Sequence, residues 1–325
     1  MSINLDDILR GKHTVALSGH IRPDGDCVGS CMGMYLYLTE VYPELQVDVY
    51  LEKIPQPHNI IEKTDVIRHQ IPEDMSYDLF ICLDCGDKAR LGFSGQLFEN
   101  AKHTVCIDHH VSNRAFADEN DIVPDASSTS ELVYRLLDYD KISRACAEAL
   151  YMGIANDTGI FQYTCTDPET MEAAAALMRK GIDFNKILEK TYYEKTYVQN
   201  QILGKALLES WLILDGKCIV SAVSRKEMEF FNAEVSDMEG IVSQLRQTAG
   251  VEVAMFLYEL ETRFYRVSLR SKDYVDVSRV ARYFGGGGHV KAAGLSMRGT
   301  EHDVINNVSG QIALQIEASS ESKMI

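Results

Sequence analysis

The sequence predicts an α/β protein: a parallel-sheet catalytic domain joined by a helical linker to a smaller α/β domain. Short β-branched apolar runs alternate with helix-length segments through the first half, the rhythm of parallel strands joined by crossover helices. The second half changes to longer strand-like runs separated by helices. At 325 residues, 46% of them apolar, the chain exceeds one average domain and can fill two cores. These observations set the divisions at residues 1–185, 186–212 and 213–325.

Thr14 to Ser18 is the first strand, and Cys27 to Tyr42 the helix after it. Gln46 to Leu51, Asp78 to Leu83 and Thr104 to Ile107 supply three more strands. Ser128-Thr129-Ser130-Glu131 is a capping box that opens a helix to Leu137, and Ser143 opens another towards Ile154. Asp167-Pro168 pairs an N-cap with a first-turn proline for the helix to Lys180, which Gly181 closes. Asp183 to Leu212 reads as charged helix without a glycine-rich hinge. Beyond it, Lys217 to Val223, Val251 to Leu260 and Arg263 to Leu269 are strand-like, with helices near Ser236 to Thr248, Val277 to Phe284 and Glu301 to Ile316. The polar tail, Ala318 to Ile325, should fray.

No run reaches the ~18 apolar residues of a membrane span, and the first residues lack a basic segment followed by an apolar one. A soluble, cytoplasmic protein is expected. Eight scattered cysteines fit buried thiols in a reducing compartment, and the one CxxC, Cys82 to Cys85, lacks the second pair of a structural zinc site. A net charge of −16 excludes a surface that tracks long duplex nucleic acid, because such binding neutralises many phosphates. It does not exclude a small phosphate ligand, and Arg263 to Arg298 holds eight basic residues against two acids.

Acids and histidines gather at the ends of these elements. His20, Asp24 and Asp26 follow the first strand across a path bent by Pro23 and Gly25. Taken singly, Asp26 could be a helix cap and Asp24 a turn former, but neither explains the histidine beside them. Asp84 ends a strand apolar enough to be buried on both faces, the place where open α/β sheets bind ligands. Asp108-His109-His110 ends the next strand, and Asp157 follows a helix whose dipole disfavours a carboxylate unless a cation compensates. Together His20, Asp24, Asp26, Asp84, His109 and Asp157 form an oxygen-rich set with two imidazoles and no thiolate, suited to Mn2+ or Mg2+ better than to zinc. Six ligands exceed what one catalytic ion with open positions needs, so two divalent metal ions and phosphoester hydrolysis follow. In the basic patch, Gly285-Gly286-Gly287-Gly288-His289 could form an anion-binding nest or only a flexible loop.

His20-x-x-x-Asp24-x-Asp26-x-x-Gly29-Ser30, Asp84, Asp108-His109-His110 and Asn156-Asp157-Thr158-Gly159 resemble the four ordered motifs of the DHH phosphoesterase superfamily. Ser268 to Gly294 resembles the DHH-associated C-terminal domain. In length the chain is most similar to the bifunctional oligoribonuclease/pAp-phosphatase branch. The resemblance implies that His20, Asp24 and Asp84 hold one manganese and Asp26, Asp84, His109 and Asp157 the other, with Asp84 bridging. It also implies that His110 faces the scissile phosphate and Asp108 orients a histidine, while Arg270, His289, Gly286, Gly287 and Gly288 bind the distal phosphate or nucleotide, joined by Arg114. The implied activity is hydrolysis of di- to pentanucleotides to mononucleotides, with pAp as a further substrate. A phosphodiesterase for linear or cyclic dinucleotides is the alternative, and a non-catalytic nucleotide-binding protein the alternative of another class. The resemblance leaves room for a homodimer.

Overall fold

The computed structural model describes residues 3–72 and 75–322, in two compact units, Met1–Glu194 and Lys195–Ile325. In the first, α1 (Leu5–Leu9) leads into β1 (Thr14–Ser18), α2 (Gly25–Val41), β2 (Gln46–Tyr50), β3 (Leu79–Leu83), α3 (Gly95–Asn100), β4 (Thr104–Asp108) and β5 (Glu119–Ile122). Four helices follow: α4 (Thr129–Leu136), α5 (Arg144–Asp157), α6 (Pro168–Met178) and α7 (Phe184–Leu188). The sheet is all-parallel, in the order β2-β1-β3-β4-β5. β3 and β4 are buried at every position, and the main core packs Val15, Leu17, Ile81 and Ile107 against Val28, Met32 and Leu150. Four strands fall where the sequence predicts them. The polar Glu119–Ile122 was not expected as a strand; it forms an edge with one neighbour, registered by Asp118 accepting from the Thr104 N–H at 2.9 Å.

α2 and α5 pack antiparallel at glycine contact. A Cβ on Gly29 would lie 2.7 Å from the Ala149 carbonyl oxygen and 2.8 Å from Gly153 Cα, and one on Gly25 would lie 2.5 Å from Asn156 Cγ. This close approach brings the start of α2, with Asp26, to the end of α5, with Asp157.

The second unit runs α8 (Tyr197–Leu208), β6 (Trp211–Ile213), β7 (Cys218–Val223), α9 (Arg225–Phe231), α10 (Ile241–Arg246), β8 (Val253–Glu261), β9 (Phe264–Ser271), α11 (Val277–Tyr283), β10 (Gly287–His289), β11 (Ala292–Arg298) and α12 (Glu301–Ser322). Its mixed sheet has the order β10-β11-β9-β8-β7-β6. One face packs Val267, Leu269, Ala293 and Leu295 against α11 and α12, and the other packs Ile219, Ala254 and Phe256 against α8 and α10. The helix expected over 236–248 is broken by Gly240 (φ 82°) into a 3-10 turn and α10. The tail expected to fray is helical to Ser322, and Lys323 to Ile325 lie outside the described residues. The stretch 186–212 is largely helical, and the two cores divide it: Ile187 packs into the first, Ile202 and Ala206 into the second. Among the described residues no helix is long and apolar enough to cross a membrane.

The α2–α5 contact yields a prediction. Gly29→Ala should cost about 1–3 kcal/mol by overpacking, read as a lower urea midpoint, and should weaken divalent-metal affinity by moving Asp26 away from Asp157.

Candidate metal centre

The acids and histidines converge at the C-terminal edge of the first sheet. Asp24 is the N-cap of α2, its Oδ1 accepting from the N–H groups of Asp26 (3.2 Å) and Cys27 (3.1 Å), while Oδ2 lies 3.5 Å from His20 Nε2. The helix cap is therefore Asp24. Asp26, only 1% exposed, instead accepts from the Thr129 N–H at 2.7 Å and the Ser130 N–H at 2.8 Å, so the start of α4 points at its carboxylate. Asp84 leaves β3 in a left-handed conformation (φ 53°). Its Oδ2 lies 3.4 Å from His20 Nε2 and its Oδ1 3.6 Å from His109 Nε2. Asp157, the last residue of α5, places Oδ2 3.4 Å from His109 Nε2. One carboxylate thus faces two imidazoles.

The histidine tautomers follow from their other ring atoms. His20 Nδ1 lies 2.8 Å from the Ile21 carbonyl oxygen and His109 Nδ1 3.3 Å from that of Ala126. A carbonyl only accepts, so each Nδ1 donates and each Nε2 faces carboxylate oxygens, free to offer a lone pair to a cation once unprotonated. Carboxylates gathered this closely repel unless positive charge, a metal ion or a proton on an imidazole, lies between them. Proton affinities report the same deficit. Burial, with Asp84 and Asp157 nearby, pushes the Asp26 carboxyl well up, and burial lifts Asp157 to about 6. Burial opposes charge on His20, but its hydrogen bonds to Asp24 and Asp84 prevail and raise it to about 11.

The donors fit divalent cations. Atoms about 2.1 Å from one ion stand about 3.0–3.4 Å apart, close to the separations of 3.4–3.6 Å found here. Groups able to hold an ion are His20, Cys27 and Asp84; Asp84, His109 and His110; and Asp26, His109 and Asp157. Asp84 belongs to two of them. The Cys27 thiol is a neighbour that the sequence reading did not place here.

Asp108 is fully buried and bound twice, to His110 Nδ1 at 2.7 Å and to Asn113 Nδ2 at 2.7 Å. The histidine it orients is therefore His110, whose pKa its hydrogen bond raises. Asn113, Thr129 and Ser130 support the site and were not anticipated; the capping box at 128–131 marked a helix start without showing what its free N–H groups would face. Arg114 is exposed on the loop after the tripeptide.

In the second unit, the glycine run is an edge strand in a hairpin and not an open nest. β10 pairs with β11, and a Cβ on Gly286 would lie 2.3 Å from the Gly294 carbonyl oxygen and one on Gly288 2.5 Å from that of Ala292. Missing side chains let this hairpin close. Its register aligns His289 with Ala292 and Ala292 with Arg270, so Arg270 and His289 share one face across a small residue.

The raised values carry a sign. Asp157 at about 6 against an ordinary 3.8 makes the folded, metal-free chain the better proton binder between pH ~4 and ~6. His20, at about 11 against 6.5, does the same above pH ~6.5. Stability without metal should therefore fall as pH rises from 5 to 8. Scanning calorimetry should give a lower Tm at pH 8 than at pH 5, and saturating Mn2+ should reverse that order.

Residues 14–154 match the model of the DHH family, N-terminal domain, and residues 215–313 that of the DHHA1 domain. The chain is 28% identical over 295 residues to the probable bifunctional oligoribonuclease and PAP phosphatase NrnA of Streptococcus mutans, covering 89% of this chain and 91% of that protein. It is 27% identical over 290 residues to the bifunctional oligoribonuclease and PAP phosphatase NrnA of Bacillus subtilis, covering 87% and 89%. A solved exopolyphosphatase-related protein from Bacteroides fragilis superposes with a TM-score of 0.86 at 26% identity, covering 94% of this chain and 93% of that one. With every member of the acid and histidine groups but Asp157 lying inside the matched stretch 14–154, and the DHHA1 match after it, the chain carries the DHH-family N-terminal domain followed by a DHHA1 domain.

Proposed function

We propose that this protein is a Mn2+-dependent phosphoesterase that hydrolyses di- to pentanucleotides to mononucleotides and removes the 3′-phosphate of pAp. The observation that carries the reading is the pair of donor groups meeting at Asp84 beside the Asp108–His110 couple. The names of the Streptococcus mutans and Bacillus subtilis relatives support the substrate class.

His20, Asp24 and Asp84 would hold one ion, and Asp26, Asp84, His109 and Asp157 the other. Bound divalent cations supply Lewis acidity at a phosphoryl group and a low-pKa water at neutral pH. The remaining roles fall to the chain's own side chains. Asp108 fixes the Nδ1–H tautomer of His110, and so Nε2 is left to face substrate. The same bond raises the His110 pKa, which favours the protonated ring that would stabilise phosphoryl charge or pass a proton to the leaving oxygen. Arg270 and His289 on their shared face would take the distal phosphate or nucleotide, and so limit substrate length.

A product-resolved assay with Mn2+ and with Mg2+, across pAp, di- to pentanucleotides, linear and cyclic dinucleotides and pyrophosphate, tests this. Mononucleotides should accumulate from the short oligonucleotides; if all remain intact with either ion, the reading fails. Asp84→Ala should abolish turnover and lower the metal content. Arg270→Ala and His289→Ala should raise KM for oligonucleotides roughly ten- to hundredfold, the range of a lost charge-assisted contact, with kcat little changed.

A further inference from the structure

Arg90 stands apart from every other cation of the first unit. It lies on the 3-10 segment Lys88–Ser94 that follows the Asp84 loop, and it is half-buried where Arg22 and Arg114 are exposed. Lys88 on the same segment is paired with Glu99. Among the described residues the Arg90 guanidinium makes neither a hydrogen bond nor an ion pair, in a chain of net charge −16 and beside a cluster of carboxylates.

Its backbone, by contrast, is tightly held. The Arg90 N–H donates to the Asp87 carbonyl oxygen at 2.9 Å, and the Arg90 carbonyl oxygen accepts from the Ile21 N–H at 2.7 Å. Gly92, at φ 59°, closes the segment onto Ile21: a Cβ there would lie 2.5 Å from Ile21 Cγ2. These contacts tie Arg90 to the residue after His20, and the cohesion of the loop makes no use of the side chain. The positive charge of Arg90 is felt at His110 and at Cys85, so the segment lies within electrostatic reach of the metal centre.

We propose that Arg90 binds a non-bridging oxygen of the phosphoryl group under attack, so that the DHH domain supplies its own cationic contact to substrate. An arginine held by its backbone beside the His20 loop and paired with no carboxylate is pre-organised for a planar anion-binding fork. Phosphate binding requires such a donor, because the carboxylates repel the substrate's oxygens wherever metal charge does not offset them. This assignment rests on the phosphoesterase reading above.

Arg90→Met keeps the length of the side chain and removes its charge; Arg90→Lys keeps the charge and removes the fork. Two quantities should be measured on Mn2+-loaded protein: kcat/KM on the best wild-type substrate, with bis(p-nitrophenyl) phosphate as a generic diester, and the calorimetric affinity for inorganic phosphate. Arg90→Met should lower kcat/KM about 10²–10³-fold and phosphate affinity about tenfold or more, with Mn2+ stoichiometry and Tm unchanged. Arg90→Lys should fall between. Arg90→Met within about threefold of wild type on both measures, or losses that follow loss of Mn2+, would overturn the assignment. An inactive wild type whose phosphate affinity still depends on Arg90 would sink the phosphoesterase reading and leave the contact standing. An active wild type indifferent to Arg90 would do the reverse.

Discussion

Everything at the edge of the first sheet answers to one constraint: carboxylates buried side by side repel. Asp26 and Asp84 are 1% and 2% exposed, and Asp24 and Asp157 join them around the same imidazoles. Desolvation alone disfavours each charge, and proximity adds to the cost. The fold offsets part of this with fixed dipoles. The first N–H groups of α4 end on Asp26, and carbonyl oxygens of Ile21 and Ala126 hold His20 and His109 with Nε2 turned inward. These devices do not neutralise the site; they shape it for cations. The close α2–α5 crossing serves the same end, since only at glycine contact do the start of one helix and the end of the other present Asp26 and Asp157 to one imidazole.

Asp108, His109 and His110 show how three consecutive residues acquire separate surroundings. Asp108 ends β4, fully buried, where Asn113 and His110 take its two oxygens. His109 turns Nε2 to Asp84 and Asp157. His110 spends its Nδ1 on Asp108, and the proposed function gives its other nitrogen to substrate. A negative charge held in the interior thus raises the proton affinity of an imidazole at the surface of the cleft.

Much of this is legible in the sequence because the informative signals are local. Apolar runs ending in acid or histidine mark strand tips, and the all-parallel core reads directly from runs such as Leu79–Leu83. What local pattern misses is set at long range. Glu119–Ile122 becomes a strand only because β4 offers it an edge. Asp26 finds its donors 103 and 104 residues away, on a helix whose capping box says where it starts but not what it faces. The glycine run permits both an open nest and a hairpin, and the choice falls to Gly294 and Ala292 on the partner strand. Arg90 lacks any motif-level signal, for its distinction is the absence of a partner among the described residues.

A strongly acidic centre binds metal well and anionic substrate poorly, so recognition of phosphate has to come from cations set outside the ligand cluster. In the DHHA1 domain, Arg270 and His289 share one face, aligned by strand register across the small Ala292, and the proposed function gives them that task. An overall charge of −16 compounds the need, because it repels polyanions at a distance and leaves short-range contacts to hold the substrate. Each phosphate added to a substrate adds to that repulsion, whereas the local cations are few.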